Sequence, residues 1–254
     1  MALAATAGAQ DPGLAGGDDR PEQEKYVLRA QYREFHPSLS GKVQKGAGGV
    51  DGTLVDLDDD LGITDKRRFD VRAALQFKSG VKLRGSWTQI DYDGDTEASR
   101  TFTYGNTRYD RFSRVVTSIK GNYFAGDLEW DFLQRPQGYL GALLGAKVFD
   151  VDTVVVSPSQ DDSREVDTLR APIPVVGLTG RLYVGKVSLE AEASGLSLGD
   201  RGKLYEIDTS VRFHISDRLA VQGGYRVLRM DGKDDRDRVK LDLGGFTFGL
   251  ELSL

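Results

Sequence analysis

A chain of 254 residues, 39% hydrophobic and 29% charged, has room for one large domain, and all-β barrels reach this length as a single unit. It has no Cys and only 2 His, which excludes disulfide frameworks, Cys-based zinc sites and thiol nucleophiles, and a net charge of -5 supplies no basic field for nucleic acid. The longest nearly apolar run, Leu140 to Ala146, is far shorter than the roughly 20 residues of a membrane-crossing helix, whereas a transmembrane barrel asks only that alternate residues be apolar.

The opening Met-Ala-Leu-Ala-Ala-Thr-Ala-Gly-Ala-Gln is small and apolar with Ala-x-Ala steps, as at the end of an export signal. A Gly-, Pro- and acid-rich stretch from Asp11 to Glu24 follows. Residues 1–24 are therefore expected to be a signal-peptide remnant and flexible tail, ahead of a barrel domain over 25–254.

From Lys25 onward the pattern has period two. Phe69, Val71, Ala73, Leu75 and Phe77 form an apolar face against Asp70, Arg72 and Lys78, and Val187, Leu189, Ala191 and Ala193 do so against Ser188, Glu190 and Glu192. Ten such segments are predicted, at 26–36, 67–79, 81–92, 111–132, 139–152, 171–185, 187–197, 203–215, 218–230 and 238–254, with eight or twelve as alternative counts. Tight connections at 79–80, 135–138, 185–186 and 216–217 alternate with connections at 37–66, 93–110, 153–170, 198–202 and 231–237, of which three are long and polar. The apolar parity changes across Phe124 to Asp127 and again at Gly244-Gly245, and a bulge is expected at each.

Parity does not say which face is outside. In a membrane barrel the charged face, with Arg29, Arg33, Arg72, Lys82, Arg84, Lys120, Lys147, Arg181 and Arg226 against Asp70, Glu190, Glu192, Glu206 and Asp208, fills the lumen. In a secreted soluble barrel the face of Phe69, Val71, Leu75 and Phe77 would instead point inward and bind an apolar ligand. The export-signal remnant, the alternating loop lengths and the placement of aromatics favour the membrane. Tyr26, Phe77, Trp130, Phe132, Tyr139, Tyr183, Phe213 and Phe248 are expected near the short-turn rim, and Phe35, Phe69, Trp87 and Tyr225 toward the other. Leu75, Val187, Leu189, Val211 and Phe213 should then face lipid, and Arg72, Glu190, Glu192, Asp208 and Arg212 the interior.

Leu128-Glu-Trp-Asp-Phe-Leu133, Gly138 to Lys147, Ile215 to Tyr225 and the closing Phe246-Thr-Phe-Gly-Leu-Glu-Leu-Ser-Leu254 give the chain its family likeness. With them it resembles the bacterial small outer-membrane β-barrel proteins, the porin-like outer-membrane β-barrel family. The resemblance implies an all-β, transmembrane, antiparallel up-and-down barrel in the bacterial outer membrane, in contact with outer-membrane lipid and lipopolysaccharide. The last strand is similar to the signal read by the barrel-assembly machinery, with Leu254 where such strands usually carry an aromatic.

Catalysis in such barrels relies on His with a carboxylate or Ser at the outer rim, and here His36 and His214 fall at opposite ends, so no enzyme is expected. The loops carry Asp56, Asp58, Asp59 and Asp60, and then Asp91-Tyr-Asp-Gly-Asp95. Acids two residues apart can converge on a hard cation where a Gly permits the turn, which makes Asp91, Asp93 and Asp95 candidate calcium ligands, although the loop lacks the bidentate Glu of an EF-hand. No other cofactor is expected. The interior of a barrel of about ten strands is little wider than one that side chains fill, so Arg and Lys paired with Glu and Asp should plug it, with a narrow channel for small solutes as the alternative.

Overall fold

The computed structural model describes residues 22–77, 80–160, 163–197 and 199–254. The leader assigned to residues 1–24 lies almost wholly outside them, as does part of the turn at 79–80. A single 3-10 turn, Glu22–Glu24, precedes the strands β1 (Leu28–Gln44), β2 (Val55–Asp56), β3 (Arg68–Gln76), β4 (Val81–Glu97), β5 (Phe102–Tyr104), β6 (Thr107–Tyr109) and β7 (Arg114–Arg135). Then follow β8 (Gly138–Ser157), β9 (Ser163–Val184), β10 (Val187–Ser197), β11 (Gly202–His214), β12 (Leu219–Asp234) and β13 (Asp237–Ser253), with a second 3-10 turn at Gly199–Arg201. β1, β3, β4 and β7 through β13 pair antiparallel with their neighbours in chain order, and β13 returns to β1 to close a barrel of ten strands. The seam runs from Arg29 opposite Ser253 to Gln44 opposite Arg238. Closure leaves the ten-strand sheet without an open edge, as hydrocarbon demands of strands that span it.

The barrel is inverted in its lower half. Phe69, Val71, Leu75, Leu189, Val211 and Phe213 are exposed on the outer surface, while Arg33, Asp70, Lys82, Glu129, Arg212 and Arg226 are buried inside. This overturns the soluble alternative, since the face of Phe69, Val71 and Leu75 points out. Outer-membrane barrels place short turns and both termini in the periplasm, which sets the long connections on the extracellular side.

Toward that side the polarity reverses. On β1 the inward positions change from Arg29, Gln31 and Arg33 to Phe35 and Leu39, and the outward ones from Tyr32 to His36, Ser38 and Lys42. On β4, Lys82, Arg84 and Thr88 give way to Ile90 and Tyr92 inside, while Leu83 and Trp87 give way to Asp91, Asp93 and Asp95 outside. On β7, Asp127 and Glu129 give way to Tyr123 and Val115 inside. On β13, Glu251 and Thr247 give way to Leu243 and Leu241.

This reversal corrects both expected bulges. β4 pairs with β7 in unbroken register from Val81 opposite Trp130 to Glu97 opposite Arg114, and β13 is equally regular through Gly244-Gly245. The alternation of side chains never slips; the apolar residues change sides because the strand leaves lipid and enters a wall with water outside and a core inside. In β7 the irregularity lies lower, between Asp131 and Leu133 in its pairing with β8.

The same cause corrects the loops. Segments 37–44, 93–97 and 153–157, read as connection, continue as strand, because an extracellular wall also shows alternate polar and apolar faces. Four aromatics assigned to the girdles point inward: Tyr26, Tyr139 and Tyr183 at the periplasmic mouth and Phe35 at the level of the reversal. Lys120, expected in the lumen, lies exposed outside, beyond the reversal.

The reversal generates a paired expectation. Leu189 and Val166 are both apolar and exposed on the outer surface, but only Leu189 lies within the lipid band. Leu189→Arg should cost about 2–4 kcal/mol in a urea refolding titration in vesicles if the residue sits near midplane. Val166→Arg should fall within about 0.5 kcal/mol of wild type. Equal losses would refute the placement of the lipid boundary.

Candidate functional site

Within the membrane the lumen is filled by ion pairs. At the periplasmic mouth the 3-10 turn tucks Glu24 into the barrel, where it meets Arg29 at 3.1 Å, Lys82 at 2.9 Å and the Tyr183 hydroxyl. Lys82 also reaches Glu129 at 2.9 Å and Asp131 at 3.0 Å and lies over the Tyr139 ring. Across the mouth Glu251 accepts from Arg181 at 3.0 Å and lies 2.9 Å from Arg212, and Glu190 binds both of those guanidinium groups. Tyr26, Tyr139 and Tyr183 are inside for this reason: each offers a ring face or a hydroxyl to a buried charge.

Higher in the lumen Arg33 binds Asp70 and reaches Asp208 at 3.0 Å, while Arg72 donates to Asp208 at 2.6 Å. Arg226 donates to Glu206 at 2.6 Å, and Glu206 also takes Lys147 and the Tyr123 hydroxyl. Arg84 bridges Glu129 and Glu192. Glu190 thus pairs with Arg181 and Arg212 of the two neighbouring strands, whereas Glu192 pairs with Arg84 from the opposite wall. A cavity of about 40 Å³ remains among these groups, bordered by the unpartnered Oδ1 of Asp127. It has room for a few waters at most.

Above the charges lies an apolar tier, Tyr123, Phe149, Val175, Leu204, Leu228 and Met230. Over that sits a crown core in which Val55, Leu57, Leu61 and Ile63 from the β1–β3 connection pack with Phe102, Tyr104 and Tyr109 of the β5–β6 hairpin and with Tyr92, Val115 and Val155 of the wall. The Tyr109 hydroxyl donates to the Val155 carbonyl at 2.9 Å, and the rings of Phe102 and Tyr109 stack 5.0 Å apart. Arg100 clamps the connection by donating to Asp60 at 2.6 Å and to the Leu54 carbonyl at 2.8 Å. Its guanidinium and the Asp56 amide hold the Asp60 carboxyl below the usual range against the opposing effect of burial. The clamp is therefore complete above the ordinary carboxylate range and is lost only as pH falls through that lowered value.

The candidate ligands Asp91, Asp93 and Asp95 stand two residues apart on the outward side of β4. They do not face a common point: Asp93 binds Lys66 and takes the Ser118 hydroxyl at 3.3 Å, and Asp95 accepts from Arg114 at 2.9 Å. Among the described residues no three His or acidic side chains are grouped as a metal site. Asp56 and Asp60 are tied into the loop by backbone bonds from Asp58 and Asp56. His36 lies on the outer surface 3.6 Å from Glu34, and His214 is buried at the periplasmic mouth with Ser188 Oγ at 2.9 Å. The two histidines therefore share no site. Sequence reasoning missed the crown core, whose signal was present as apolar residues spaced through connections that read as polar.

An inverted lower barrel, alternating short and long connections and a ten-strand closure define an outer-membrane β-barrel. A family model described as YfaZ precursor matches residues 112–253, more than half of the chain, and the protein belongs to that family. The outer-membrane protease OmpT from Escherichia coli is similar in fold, with a TM-score of 0.56 at 10% identity over 89% of this chain and 96% of that one. Weaker likenesses are the translocator domain of the autotransporter NalP from Neisseria meningitidis, with a TM-score of 0.42 at 11% identity over 89% of each chain, and Neisserial surface protein A, with 0.39 at 11% over 90% and 97%. No curated protein matches the sequence.

Arg33 tests how far the lumen depends on its pairing. Arg33→Ala leaves Asp70 and Asp208 short of a buried partner and should cost about 3–5 kcal/mol in the same urea titration. Arg33→Met with Asp208→Leu removes one charge of each sign and should recover most of that loss. A single variant as stable as wild type would show that the network carries no weight.

Proposed function

We propose that the protein is a closed, non-enzymatic outer-membrane barrel that neither conducts nor catalyses, and that acts through its extracellular crown and outer surface. The observation that carries this reading is the filling of the lumen at successive levels: two tiers of ion pairs, the apolar tier of Tyr123 and Phe149, and the crown core above. A hydrated solute would have to separate buried opposite charges and then cross a hydrocarbon-like layer, each unfavourable. The absence of catalysis is supported by the same burial. His214 and Ser188 are sealed beneath Tyr183, and His36 has Glu34 beside it on the outer wall but no hydroxyl nucleophile hydrogen-bonded to it among the described residues.

Planar-bilayer recording of the refolded protein should show no stable conductance steps. Large, long-lived channels in the wild type would overturn the reading and favour a solute channel.

Calcium enters this reading as a loose counter-ion for the outward acids of β4, because it must compete with Lys66 for Asp93 and with Arg114 for Asp95. Protection of the crown from protease should respond to calcium only at about 10⁻⁴–10⁻³ M, as at loosely built extracellular sites. Saturation at micromolar calcium that is lost in Asp93→Asn would instead establish a dedicated site.

A further inference from the structure

At the height where the faces reverse, the outer wall carries a groove of about 390 Å³ across β12, β13 and β1. It exists because the outward position of β13 between Phe246 and Asp242 is Gly244, where a side chain would begin 3.1 Å from the Tyr225 hydroxyl. Tyr225 and Phe246, edge to face at 5.1 Å, bound it on the lipid side. His36 and Ser38 of β1 line one wall, and Asp65, Lys66 and Arg67, on the way into β3, line the other.

We propose that this groove binds the phosphorylated sugar headgroup of an outer-leaflet glycolipid, with Lys66 and Arg67 on the phosphate, Asp65 accepting from sugar hydroxyls, and Tyr225 and Phe246 against the start of the acyl chains. Three observations converge on this occupant. The groove lies where outward apolar residues give way to polar ones, which is the depth of lipid headgroups. Its lower side is aromatic, as suits the interface between headgroup and chain. Its upper side mixes cations with a carboxylate.

The facing charges decide the class of ligand. Lys66 is held by Asp93, Arg67 by Glu34 at 3.5 Å, and His36 lies 3.6 Å from the same Glu34. These pairs are on the exposed surface and weak for that reason, so a phosphate can take over the cations. The carboxylates left nearby repel a small free anion but accept hydroxyl donors, so the site favours a phosphosugar over inorganic phosphate.

The test is native mass spectrometry of the full chain, refolded in detergent and incubated with bisphosphorylated lipid A, with heat-modifiability on gels as the check of folding. Wild type should retain the lipid. Lys66→Ala with Arg67→Ala should lower the bound fraction about tenfold, as loss of charge-assisted contacts does. Gly244→Leu, which fills the groove without changing charge, should lower it similarly. Lys120→Ala with Arg170→Ala, on the outward faces of β7 and β9, should leave it unchanged. Dephosphorylated lipid A should bind poorly, and millimolar inorganic phosphate should not displace the lipid. Retention at the wild-type level by the folded Lys66/Arg67 and Gly244 variants would overturn the proposal. So would equal binding of dephosphorylated lipid A, or displacement by inorganic phosphate.

Discussion

A strand that passes from lipid into water must exchange the face on which it carries its apolar side chains, and this barrel makes that exchange without breaking the strand. Below the boundary the solvent is hydrocarbon, so Leu83 and Trp87 face out and Lys82 and Arg84 face in. Above it the solvent is water, so Asp91 and Asp93 face out and Ile90 and Tyr92 face in. Backbone pairing is indifferent to the change, and the register of β4 on β7 runs straight through it. One continuous wall therefore encloses two cores of opposite chemistry.

The two cores hold the barrel together by different means. In the membrane a charge inside the lumen is tolerable only when paired, and the pairing of Arg33 with Asp208 and of Arg84 with Glu192 ties together strands that are distant in the chain. Buried ion pairs add little net stability but penalise any rearrangement that separates them. In the crown the ordinary hydrophobic effect operates, and the connection of Val55 to Ile63 and the β5–β6 hairpin fold inward to supply a core the wall alone could not fill.

The ten strands, the tight turns and the outward set of Leu75, Leu189 and Phe213 were legible from period-two alternation, because a lipid-facing strand records its orientation residue by residue. The reversal was legible too, at Tyr123 to Leu128 and at Gly244-Gly245, but a change of apolar parity reads equally as an inserted residue or as a change of surroundings. Only the pairing partner decides between them. The partners inside the lumen were less accessible: Glu192 meets Arg84 across the barrel, 108 residues away, and nothing local marks that meeting. The groove at Gly244 was hidden for a related reason. A glycine pair in a strand suggests a kink, whereas here Gly245 admits the close approach of the His36 carbonyl and Gly244 leaves an opening in the wall.

The fixed height of the reversal also limits how the protein can sit in its bilayer. From Tyr205 on β11 to Ile215, one residue past its end, the outward residues form an apolar band that, at about 3.3 Å per residue and a tilt of about 40°, stands about 25 Å tall. Sinking by one residue pair would carry Asp91 toward hydrocarbon, and rising would lift Trp87 and Tyr225 into water. The upper edge cannot adjust by bending, because the wall continues beyond it and is paired across the seam through Leu39 and Leu243. A membrane thicker or thinner than this band must therefore deform around the barrel, making the protein a fixed gauge of local bilayer thickness.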